Sequence, residues 1–199
     1  MNESVPIRPA ALLALLLAFL LAGCGGGTEA PPLAGASMGG AFTLTDQNGR
    51  RVSDSDFAGR YRLVYFGFTF CPDVCPVDMQ VMSAGLTQFE ARDAARAARV
   101  QPIFISVDPA RDTPAVLRQF VANFHPRFVG LTGGEDEVAR TARAYGVFYE
   151  RAARGAADAY NVDHSRMIVL YGPEGQPIAI VPHDRGPEGV AAELERWVR

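Results

Sequence analysis

The apolar positions of this chain alternate between short unbroken runs and longer, spaced stripes. Arg62–Phe70 (RLVYFGFTF) is a nearly continuous run of aliphatic, aromatic and β-branched residues, which predicts a buried central strand. Val100–Val107 (VQPIFISV) predicts a second. Between them Val77, Val81, Leu86 and Phe89 suggest a helix lasting to about Ala98, and Pro76 suits its first turn, where a missing N–H is harmless. Val116, Leu117, Phe120, Val121 and Phe124 form the next helical stripe, opened by the cap-then-Pro start Asp112-Thr113-Pro114. Phe128–Leu131 reads as a short strand, and Glu135–Tyr145 as a helix closed by Gly146. Met167–Tyr171 and Pro177–Val181 read as strands joined across Gly172-Pro173-Glu174-Gly175, and Val190, Leu194, Trp197 and Val198 mark a last helix. Near the start of the pattern, Ala41–Thr45 and Arg50–Ser53 flank Gln47-Asn48-Gly49. Asn-Gly is a two-residue hairpin signal, because both residues tolerate positive φ.

The order is hairpin, β, α, β, α, β, α, hairpin, α. Alternating β and α argues a parallel core with helices on its faces, and the terminal hairpin makes the sheet mixed. This is an α/β layout of the three-layer thioredoxin-like kind, with an extra N-terminal β-hairpin, and the folded domain is expected over residues 41–199.

The segment ahead of the domain reads differently. Arg8 precedes an apolar run of thirteen residues, Ala10–Ala22. A membrane-spanning helix needs about 20, whereas a secretory signal core needs about 7–15. The run ends in Leu21-Ala22-Gly23-Cys24, which resembles the lipobox of bacterial lipoproteins. That resemblance implies removal of residues 1–23 and lipidation of Cys24, with the domain held in the cell envelope on the periplasmic side. Several acyl chains on one residue anchor stably, since each buried CH₂ contributes about 0.8 kcal/mol. Residues 24–40 (CGGGTEAPPLAGASMGG) are rich in Gly, Pro and Ala and read as a flexible tether.

Composition narrows the chemistry. The 199 residues carry a formal net charge of -3, so there is no basic footprint and no expectation of nucleic-acid binding. All 19 basic residues are Arg, which excludes Schiff-base and Walker-lysine chemistry.

Cys71 and Cys75 remain once Cys24 is assigned to lipid. They lie in Phe70-Cys71-Pro72-Asp73-Val74-Cys75-Pro76, where a strand end leads into a helix. A helix N-terminus stabilises thiolate, the form needed for disulfide exchange and for metal ligation. A purely structural disulfide over so short a loop adds little stability. Redox thioredoxin motifs are usually C-x-x-C, and here three residues intervene. Residues i and i+4 share a helix face, so both sulfurs can turn to one metal or to each other. Two soft thiolates select Cu(I), with zinc the main competitor. Of the three His, His164 precedes the Met167 strand in a loop that faces the redox loop in the thioredoxin layout. Thioredoxin-family oxidoreductases keep a cis-Pro there, but no Pro lies between Asn161 and Ile168, so His164 is the candidate third ligand. His125 reads as a turn residue and His183 as an exposed loop residue. Asp73 and Asp78 are near the thiols by sequence, and Asp108, Arg111 and Asp112 read as an ion pair and a cap.

The motifs Tyr65-Phe66-Gly67-Phe68-Thr69, Cys71-Pro72-Asp73-Val74-Cys75-Pro76, Ser106-Val107-Asp108-Pro109, Arg111-Asp112-Thr113-Pro114 and Asp163-His164-Ser165 together resemble the Sco/SenC copper chaperones of cytochrome oxidase assembly. The resemblance implies that Cys71, Cys75 and His164 bind Cu(I), and that Cu(II) can also bind. It further implies delivery to the binuclear copper site of cytochrome c oxidase subunit II, or to another copper oxidase. Asp163 is then a candidate to orient the imidazole. A metallochaperone, not an enzyme, is the leading expectation. The alternative is a thiol–disulfide reductase that keeps the receiver's cysteines reduced; a peroxidase would need a different local pattern. An exported pair also needs a reductant, expected to be another thioredoxin-like protein.

Overall fold

The structure, a computed structural model, describes residues 29–152 and 160–199. The expected signal segment, Cys24 and the first part of the tether lie outside the described residues.

The two longest apolar runs form the centre of the sheet. β3 (Tyr61–Gly67) and β4 (Val100–Ser106) are buried along all seven of their residues, as strands covered on both faces require. They pair in parallel from Tyr61↔Val100 to Gly67↔Ser106. β5 (Val129–Thr132) adds in parallel to β4, and β8 (Ile168–Tyr171) adds antiparallel to β3. β9 (Pro177–Ile180) closes that side. The hairpin of β1 (Thr43–Asp46) and β2 (Arg51–Ser53) extends the other side, with β1 antiparallel to β5. The seven-stranded order is β2-β1-β5-β4-β3-β8-β9, the mixed sheet with an added N-terminal hairpin that the sequence predicts.

Helices cover both faces. On one, Tyr65 and Phe104 stack with ring centroids 6.3 Å apart beneath α1 (Val74–Arg92), and Phe104 meets Phe120 of α3 (Pro114–Val121). The short α2 (Ala94–Ala97) follows α1. α5 (Gly186–Trp197) packs on α1 at Gly85, where a Cβ would come within 2.5 Å of Val190. On the other face Tyr145, which follows α4 (Glu135–Ala144), packs on Phe66 at 5.6 Å. Among the described residues, no helix is long and apolar enough to cross a membrane.

Three local expectations change. The first hairpin does not use a two-residue turn: Asp46 N–H bonds to Arg50 O, leaving a three-residue loop in which only Gly49 has positive φ, at 80°. The buried Asp46 carboxylate explains this, since it accepts from the N–H groups of Asn48 and Arg50. The second part of the expected tether is not open chain. Leu33 N–H bonds to Ile178 O, Gly39 N–H bonds to Ala144 O, and Leu33 and Met38 pack against the core. Two apolar side chains in this stretch find buried partners, which a Gly/Pro/Ala composition does not disclose. Finally, a second, two-stranded sheet pairs β6 (Tyr149–Arg151) with β7 (Val162–His164), so His164 lies in a strand and not a loop.

Candidate metal centre

β3 ends at Gly67, and the chain turns through Phe68–Asp73 into α1. Cys71 therefore precedes the helix and Cys75 is its second residue. The sulfurs do not converge by helical periodicity, as the spacing suggested. The loop folds back so that Cys71 Sγ accepts the N–H of Cys75 at 3.4 Å, capping a free donor of the helix N-terminus. Asp73, the residue before the helix, makes no side-chain cap bond. Gly67 makes room beneath: a Cβ there would lie 3.0 Å from Cys75 Sγ. Both cysteines are free thiols, Cys75 buried and Cys71 half-buried.

The loop is held from below by Asp112. Its carboxylate accepts from Thr69 N–H at 3.0 Å, Thr69 Oγ1 at 2.6 Å and Ser106 Oγ at 2.6 Å. The helix cap expected of this motif is made instead by Thr113, whose Oγ1 accepts from Val116 N–H. Asp108 and Arg111 form the expected ion pair.

His164 arrives from β7. Its Nδ1 is 3.1 Å from the Ser165 carbonyl, which only accepts, so Nδ1 carries the proton. Nε2 is left bare and faces Cys75 Sγ at 3.2 Å. Tyr65 and Phe68 pack edge-on to the ring at 6.1 and 5.9 Å. Burial pushes the imidazole pKa down and holds it neutral, the form that binds a metal. Burial also pushes the Cys75 thiol well up, so in the metal-free state it is protonated. Cys71 Sγ, Cys75 Sγ and a His164 ring nitrogen all lie within 4.8 Å of one another, an arrangement that can hold one ion.

Other candidates separate from this group. Asp163 is exposed and sits one residue from His164 in a strand, so it projects to the opposite face; the Ser165 carbonyl meets the imidazole instead. His125 is buried, with Nε2 on Glu90 at 3.0 Å and Nδ1 accepting from Arg127 N–H, a structural turn role. His183 is not the exposed loop residue its flanks suggest: it is half-buried, with Nε2 3.6 Å from Asp78. Asp78, one turn beyond Cys75 on α1, is buried and accepts from Tyr65 Oη at 2.9 Å and from Arg166 at 2.7 and 3.0 Å. Asp78 is near the thiols by sequence alone, whereas its pairing with Tyr65 and Arg166 carries no local signal, because these partners lie 13 and 88 residues away.

The SCO1/SenC family model matches residues 30–199. The chain is 36% identical to "Protein SCO1 homolog, mitochondrial" of Homo sapiens over 162 residues, covering 81% of this chain and 53% of that protein. It spans somewhat over half the length of the curated relatives it matches. Among solved structures, Bradyrhizobium japonicum ScoI with copper bound is 38% identical with a TM-score of 0.73, covering 80% of this chain and 99% of that one. BsSco, a Sco-family cytochrome c oxidase assembly protein with an identified disulfide switch, is 25% identical with a TM-score of 0.59, covering 78% and 90%. The fold of the described residues, the Cys-Cys-His cluster at the end of β3 and a family match over nearly all of them lead to one conclusion: the chain belongs to the SCO1/SenC family.

Proposed function

We propose that this protein binds copper through Cys71, Cys75 and His164 and delivers it to the binuclear copper site of cytochrome c oxidase subunit II, or to another copper oxidase. The convergence of three donor atoms within 4.8 Å carries this reading. Two thiolates and a neutral imidazole are a soft set with few ligands, which favours Cu(I). Cys75 is buried while Cys71 is half-buried, so an incoming thiolate meets the ion on the Cys71 side and takes it by ligand exchange. The copper held by the similar Bradyrhizobium protein supports the choice of metal. In the same reading, a lipid on Cys24 keeps the protein at the periplasmic side of a membrane, and a thioredoxin-like partner keeps its thiols reduced.

The test is an anaerobic Cu(I) titration of the reduced protein against a competing chelator, beside Cys71→Ala, Cys75→Ala and His164→Ala. One tight equivalent, weakened by all three changes, is expected. No competitive binding, with fast disulfide exchange instead, would overturn it.

The second reading is thiol–disulfide reduction of the receiver's cysteines. It is favoured by the two sulfurs lying within 4.8 Å of each other and by the disulfide switch of the similar BsSco. It predicts activity that survives His164→Ala.

A further inference from the structure

The strand that delivers His164 is gripped on both sides. Two residues before β7, the Tyr160 ring lies 3.7 Å beneath the Arg111 guanidinium, and its hydroxyl donates to Asp108. Arg151 of the paired strand covers the same ring at 3.9 Å. Arg111 also binds Asp108 through Nε and lies over Phe70 at 5.0 Å and Phe68 at 5.8 Å, the aromatics just ahead of Cys71. One guanidinium therefore touches both the thiol loop and the approach to the histidine strand. Two residues after His164, Arg166 makes a two-pronged ion pair with Asp78, through Nε at 3.0 Å and a terminal nitrogen at 2.7 Å. Asp78 is on α1, three residues beyond Cys75, and its buried carboxylate also holds Tyr65, whose ring edges His164.

β6 and β7 form a separate two-stranded sheet of three residues each. So short a ribbon is marginal by itself, and its position depends on its ends.

We propose that Arg111 and Asp78 are positioning residues: they clamp the two ends of the His164 strand and set the imidazole against Cys75. Arg111 does so by flat stacking, which a lysine cannot reproduce, and Asp78 by a forked pairing that needs its charge and both oxygens. The inference rests on the copper reading of the site.

Two readouts test it on the full chain. The first is Cu(I) affinity of Arg111→Lys, Asp78→Asn and Arg166→Gln, each made with His164 present and again with His164→Ala. With His164 present, each is expected to weaken binding about 10–100-fold, as for groups that orient metal ligands. Without it, the same changes are expected to alter binding less than about twofold, because residues acting through one partner do not add. Equal losses in both backgrounds, or no loss with His164 present, would overturn the proposal. Arg166→Gln breaks the Asp78 pair from its exposed side and serves if Asp78→Asn does not fold.

The second readout needs no copper: the ¹⁵N shifts of the His164 imidazole in reduced, metal-free protein. Nδ1 protonated and Nε2 bare is expected, giving way in the variants to the mixed tautomers of an exposed histidine. Variants that keep the parent signal would overturn the clamp. If the parent binds no copper while the variants lose this signal, the copper reading fails and the clamp stands.

Discussion

His164 Nε2 lies 3.2 Å from Cys75 Sγ although 89 residues separate them in the chain. No local pattern brings these two atoms together. The contact exists because β3 and the β6–β7 ribbon end near each other, and the chemistry of the site depends on it.

Removing the imidazole is expected to leave two thiolates and a more exposed ion. His164→Ala should weaken Cu(I) by at least about 10-fold, the lower end of the loss seen on disturbing groups that support a metal site. Chelator competition reads the change.

The thiol of Cys75 is protonated in the metal-free fold, so copper binding releases a proton. Apparent Cu(I) affinity is expected to rise as pH rises, by up to about tenfold per unit for each proton released. Titrations at several pH values check the slope; a flat profile would contradict a protonated Cys75.

Stability of the reduced, metal-free protein should fall on both sides of neutrality. Burial raises the Cys75 pKa, so above the ordinary thiol range, about pH 8.5, the folded state holds a proton that the unfolded chain has lost, and stability drops as pH rises. Burial lowers the His164 pKa, so below about pH 6.5 the unfolded chain binds the extra proton, and stability drops as pH falls. Denaturant midpoints across this range check both arms, and Cys75→Ala and His164→Ala should each reduce the corresponding one.

Gly67→Ala places a methyl 3.0 Å from Cys75 Sγ and 3.1 Å from both Phe104 and Tyr65. Overpacking of this kind costs about 1–3 kcal/mol. Denaturant unfolding should show that loss together with weaker metal binding, because the sulfur must move.

Asp112→Ala strands the Thr69 and Ser106 donors that the carboxylate satisfies. Each buried donor left unpaired costs about 1–3 kcal/mol. Faster hydrogen exchange at the Thr69 amide is the specific readout.

The central sheet was legible because β3 and β4 are apolar along nearly their whole length, and few other structures accommodate such runs. Their ends were less so. Phe68 and Phe70 extend the apolar run of β3, yet they leave the sheet to line the thiol loop, Phe68 buried and Phe70 exposed. The thiols and the histidine were readable from residue type and order. The β6–β7 ribbon was not, because only Val162 among its six residues is buried and strands of three polar-rich residues carry no clear period. The Asp78–Arg166 pair had no local signal either, since it is made between residues 88 apart. Glycine 49 announced a turn correctly, but the buried Asp46 carboxylate chose its length.

The hydrogen bond from Leu33 N–H to Ile178 O fixes a direction within the folded unit of residues 31–199. Ile178 is at the end of the sheet where β3 begins, next to Pro177, which pairs with Tyr171 as Tyr171 pairs with Arg62, whereas Cys71 follows the end where β3 finishes. Seven strand residues lie between the two ends, roughly 20 Å at about 3.3 Å per residue. A force applied to the chain at Leu33 therefore acts on the pole of the sheet away from the thiols.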